Sequence, residues 1–158
     1  MINTLFNLFK RNNRTLPVDL SSLASEMETI CSHFITASRN DLSWKWDDRF
    51  NMVLSEFSTS KKDLIHSHLQ RFSETTWDNH SIRKAPKSII RISRQLGGIN
   101  ENQLLYVSSS TQEAFVICAW WPWGNGEKIS IRLSPSSARL SPAENTFLSN
   151  HFKKLFGV

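Results

Sequence analysis

The chain has 158 residues, 39% of them hydrophobic, and a formal net charge of +5 from 19 basic and 14 acidic side chains. That balance excludes a disordered chain and fits one globular domain over 1–158 with a continuous core. It also excludes a nucleic-acid tail or polybasic membrane patch, since no run of five or six like charges occurs, and no apolar stretch reaches the ~18 residues needed to span a bilayer.

Large rings supply much of the packing volume, with 10 Phe and 6 Trp against 1 Tyr. Ile2, Leu5, Phe6, Leu8 and Phe9 share one broad face, so residues 1–16 read as a loosely packed N-terminal helix. Charges follow that apolar run instead of preceding it, which argues against an export signal and for a cytoplasmic protein. Beyond Pro17, Asp19 offers an N-cap for a helix over about 20–38, where Leu20, Leu23, Met27, Ile30 and Phe34 recur at three- and four-residue steps. After the polar interruption of residues 40–50, Phe50, Val53, Leu54 and Phe57 form a short helical stripe. Ser60 and Asp63 then resemble a capping box that introduces Leu64, Ile65, His68, Leu69 and Phe72. Residues 73–85 lack a period and read as a loop. Pro86 and Gly97 bracket a segment that reads as a helix, with a β-branched strand as the alternative.

From residue 103 the period becomes two. The pattern predicts a three-stranded antiparallel β-meander over about 103–108, 113–121 and 127–134. Its middle strand is apolar from Ala114 to Trp121, as expected of a strand covered on both faces. In the third strand Ile129, Ile131 and Leu133 alternate with Lys128, Ser130 and Arg132, which predicts one buried and one wet face. Ser141-Pro142-Ala143-Glu144 joins an N-cap serine, a first-turn proline and a capping-box glutamate ahead of a closing helix over about 142–156, stopped by Gly157. The predicted class is α+β, with a helical N-terminal half, the meander covered by helices, and the C-terminal helix.

No chemistry is written in the motifs. Gly124-Asn125-Gly126 lies between two strands and is not followed by a phosphate-loop lysine, so no cofactor is expected. Histidines and cysteines lack ligand spacing, so no metal is expected. Ser58-Thr59-Ser60-Lys61 has no accompanying Lys-Thr-Gly, and Cys118 sits mid-strand. Asp47-Asp48 reads as a helix-start feature. No catalytic residue is assigned.

Candidate partner-binding residues are Arg83, Lys84, Lys87, Arg91 and Arg94, which fall within twelve residues that contain no acid, together with Trp123 on an exposed turn. Trp and Arg dominate interface energetics, so the first expectation is a non-enzymatic protein-binding module whose partner presents an acidic face. In size and want of a catalytic signature the chain is similar to the small immunity proteins with which bacteria neutralise a cognate toxin, a likeness that implies a toxin domain as partner. Two alternatives stand beside it: a nucleic-acid-associated protein using the basic segment and an exposed Trp, and an enzyme with an active site that no motif marks.

Overall fold

The computed structural model describes residues 19–109, 114–137 and 140–158; the helix expected over 1–16 lies outside the described residues. In chain order the elements are α1 (Leu20–Ser38), β1 (Lys45–Asp47), β2 (Met52–Ser58), a 3-10 turn (Thr59–Lys61), α2 (Lys62–Phe72) and β3 (Thr75–Trp77). A second 3-10 turn (Ser81–Lys84) leads into α3 (Lys87–Gln95), followed by β4 (Leu104–Val107), β5 (Ala114–Pro122), β6 (Lys128–Ser137) and α4 (Pro142–Phe156).

The class is α+β, but the sheet is not a three-stranded meander. Six strands pair in the order β1-β2-β6-β5-β4-β3, all antiparallel. The expected strands are β4, β5 and β6; three more, β1, β2 and β3, extend the sheet at both edges and come from the half expected to be helical, β3 from the segment expected to be a loop. β2 escapes the period-two pattern because it is covered on both faces. Val53 and Phe57 enter one core while Met52 enters the other, and Leu54 is buried as well. Such a strand carries apolar residues at nearly every position, and a helical stripe can be drawn through it equally well. β1 and β3 have three residues each, too short to show a period, and their shortness limits the unpaired edge left to solvent. Because β2 pairs with β6 while β3 lies at the opposite edge, α2 must carry the chain across the sheet between them.

Three helices cover one face. Leu23, Met27, Cys31 and Phe34 of α1, Ile65 and Leu69 of α2, and Leu148, Phe152 and Phe156 of α4 meet Tyr106, Val116, Cys118, Trp120, Ile131 and Leu133 of the sheet. Among the described residues α3 is the one helix on the other face, where its Ile89 and the preceding Ala85 meet Leu105, Val107, Phe115, Ile117 and Ala119. β5 is therefore buried from both sides, as its unbroken apolar run requires.

The helix ends follow local rules. Asp19 accepts from the amides of Ser21 and Ser22 at the start of α1. In α4, Ser141 Oγ accepts from the Glu144 amide at 3.2 Å and Glu144 Oε1 from the Ser141 amide at 2.9 Å, a complete capping box. Gly157 ends it at φ +71. Ser60 and Asp63 form no such box: Ser58 caps the 3-10 turn by accepting from the Ser60 amide.

The polar side of β6 is wet only at its start, where Lys128 is exposed. Ser130 is 4% and Arg132 6% exposed. Arg132 Nε donates to Asp47 Oδ2 at 2.9 Å, and its guanidinium lies over the rings of Trp121 at 4.5 Å and Phe50 at 5.4 Å. Asp47 is thus not a helix-start residue; it ends β1 and accepts from Arg132 and Arg49.

Candidate functional site

The candidate interface residues divide between two places. Arg83 and Lys84 lie on the second 3-10 turn, and Lys87, Arg91 and Arg94 lie along α3. Asp78 opens this strap: its Oδ1 accepts from the Ser81 amide at 2.7 Å and the His80 amide at 2.8 Å, and those bonds hold the carboxyl below its ordinary range. The buried side of α3, Ile89 and Ser93, turns into the sheet. Spacing of four and three residues leaves Lys87, Arg91 and Arg94 on the outer side. All five cations are exposed, and among the described residues none of the five forms an ion pair.

The electrostatics at the start of α3 oppose helix stability, whereas Arg94 in its last turn favours it. α3 has no acid in its first turn and no side-chain cap at Pro86, while Lys87 occupies that turn and Arg83 and Lys84 precede it. Positive charge at a helix N-terminus adds to the positive end of the dipole and is unfavourable. An anion brought there is correspondingly favoured.

Trp123 sits elsewhere, on the turn between β5 and β6. It is 39% exposed, but it is not loose: its indole N–H donates to Ser130 Oγ at 2.8 Å, and the Lys128 ammonium lies 5.3 Å from its ring centre. Gly126, at φ +73, closes the turn. Of the two strand tryptophans, Trp120 is buried and Trp121 only half-buried beneath Arg132.

Trp123 borders a cleft of about 660 Å³ between α2 and the β5–β6 turn, and none of the five strap cations lines it. Trp120, Leu104, Pro122 and Ile129 form its apolar wall, and Lys62, Asp63, His66 and Asn102 its polar side. The rim is tied in place: Thr59 Oγ1 donates to the Gly126 carbonyl at 2.7 Å and the Thr59 amide to the Glu127 carbonyl at 3.0 Å. His66 Nδ1 is hydrogen-bonded to the hydroxyl of Tyr106. Burial pushes that phenol well above its ordinary value, with the Cys118 thiol adding to the shift, so Tyr106 holds its proton. The His66 ring stands edge-on to Trp120, with centres 5.9 Å apart.

Nothing in the sequence singles out His66 and Tyr106. His66 lies off the apolar stripe of α2, and Tyr106 is one inward residue of a strand 40 residues away. Only the crossover of α2 brings them together. Among the described residues no group of three His, Cys, Asp or Glu side chains could hold a metal ion, and no helix is long and apolar enough to cross a membrane. Comparison with family models, curated proteins and solved structures gives no match.

Proposed function

We propose that this chain is a non-enzymatic protein-binding module that docks an acidic face of another protein through Arg83, Lys84, Lys87, Arg91 and Arg94. One observation carries the reading: five exposed cations, without ion pairs among the described residues, stand on a strap anchored to the sheet, and three of them, Arg83, Lys84 and Lys87, crowd the end of α3 where positive charge is unfavourable. Cations that cost stability at a helix start are best understood by what they attract. Complementary charge speeds association and fixes orientation. A single-stranded nucleic acid fits less well, because such sites interleave cations with exposed stacking rings. Trp77 is half-buried, and Trp123 borders a cleft that the strap does not share.

The test is affinity capture from native lysate with the wild-type chain, with Arg91→Glu and with Trp123→Ala. A single stoichiometric protein, lost with Arg91→Glu and kept with Trp123→Ala, is the expected result. Nucleic acid as the main co-purifying species, with binding that falls steeply with salt, would overturn it. The narrower form of the proposal is an immunity-type role, in which the acidic partner is a toxin domain neutralised by direct binding. Co-expression with the captured protein tests it: wild type should restore growth that the partner suppresses, and Arg91→Glu should not.

A further inference from the structure

We infer that the cleft between α2 and the β5–β6 turn is a small-molecule site that takes a flat apolar ring bearing a carbonyl or carboxylate acceptor, with His66 Nε2–H as the donor and Tyr106 as its positioning residue. The inference is independent of the strap.

Size and lining come first. About 660 Å³ lies inside the range of roughly 300–1,000 Å³ usual for ligand sites, which pair apolar walls with a few placed polar groups. The rim is preformed through the bonds of Thr59 to the turn, so closing on a ligand requires little ordering.

The polar groups then narrow the ligand. The Thr59 hydroxyl proton is spent on the Gly126 carbonyl and the Trp123 indole N–H on Ser130, so neither has a proton left to donate to a ligand. Tyr106 is fully buried, and among the described residues its hydroxyl has only His66 Nδ1 to bond. A buried hydroxyl whose single proton has one available acceptor donates to it. Nδ1 therefore accepts, and the neutral His66 ring carries its proton on Nε2. That nitrogen has no protein partner among the described residues, and the residue borders the cleft. The site thus presents an N–H donor, oriented from behind by a phenol, beside Trp120, Leu104 and Ile129. An acceptor attached to a flat ring satisfies the donor and the wall together. Lys62 and the Asn102 amide, both exposed at the mouth, add donors for a carboxylate, Lys62 offsetting the charge of the neighbouring Asp63.

The probes are benzamide, benzoate and glucose, titrated into the full ¹⁵N-labelled chain and followed by amide and indole chemical shifts. Saturable shifts from benzamide and benzoate at residues 59–66, 102–104 and 120–126, in the millimolar range expected of so few atoms, are the predicted outcome. His66→Leu should weaken both probes at least tenfold, while His66→Gln, which keeps a side-chain N–H, should retain most of the affinity. The long-range ¹H–¹⁵N spectrum of the His66 ring should show Nε2 protonated in wild type and a mixture of tautomers in Tyr106→Phe, a readout that a merely structural tyrosine would not move. An Nδ1-protonated wild-type ring would overturn the inference. So would shifts scattered over the surface, glucose perturbing these residues in place of the ring probes, no response to any probe, or unchanged binding in His66→Leu.

Discussion

Arg132 is the residue at which several features of the molecule meet. It comes from β6, its carboxylate partner from β1, and the rings it covers from β5 and from the turn after β1. Its side chain and that of Asp47 are 7% and 5% exposed, while Arg49, the second partner of Asp47, is largely in water. A buried pair adds little net stability compared with an apolar pair of the same shape, but removing one partner strands the other charge at about 3–5 kcal/mol. Because Arg49 still faces Asp47 after the change, Arg132→Met should destabilise the fold by about the lower end of that range in urea denaturation, whereas Arg49→Met should cost under about 1 kcal/mol. The pH dependence follows in sign. Burial alone would raise the Asp47 carboxyl, but hydrogen bonds from Arg132 and Arg49 outweigh it and hold the group below its ordinary 3.8. The resulting stabilisation is complete well above 3.8 and is lost as pH falls through the lowered native value. Asp47→Asn should be less stable at neutral pH and show a shallower acid limb than wild type. Equal acid limbs would mean that Asp47 titrates alike folded and unfolded.

Among the elements, those whose cues lie within a few residues were legible, and those defined by distant partners were not. α1 begins at its aspartate, and α4 runs between its capping box and Gly157, as the local chemistry dictates. Ser141→Ala removes one half of a complete box and should cost about 0.5–2 kcal/mol, measurable as a lowered urea midpoint. α3 resolves as a helix because Ile89 and Ser93 need one buried side against the sheet. β2 could not be read, since what makes it a strand is its pairing with β6, whose partner residues lie 70 or more positions later. Nor could the buried side of β6, whose Arg132 is tolerated only because β1 supplies Asp47. The cysteines show the same dependence on packing. Cys31 of α1 and Cys118 of β5 are both fully buried in the core between helices and sheet. Burial pushes the Cys31 thiol up to about 12 and Cys118 well above its ordinary value, the latter aided by Cys31. Thiolate is the reactive form, so an aromatic disulfide reagent at pH 8 should leave both unmodified in the native state. They should be labelled only in parallel with global unfolding; fast labelling of either in native buffer would mean that α1 opens locally.

At the scale of the whole molecule the two faces of the sheet have different tasks. Three helices bury one face, and the other is closed by α3 and by the Arg132 cluster. α3 must therefore satisfy two demands: its inner side holds the second core while its outer side carries the cations. Lys87 separates these demands, because it stands in the first turn of α3, exposed and without an ion pair among the described residues. Lys87→Glu would place an acid where the helix dipole favours one and should raise stability by about 0.3–1 kcal/mol at low salt. The same change removes a cation from the strap and should slow association with an acidic partner, with the loss largest at low ionic strength and shrinking as salt screens the surface. Urea denaturation and association kinetics on one pair of proteins measure both quantities. A rise in stability coupled to a fall in association rate is what a cluster kept for binding predicts. If Lys87→Glu instead lowered stability and left association unchanged, the strap would be an ordinary solvated helix face and the docking surface would have to lie elsewhere.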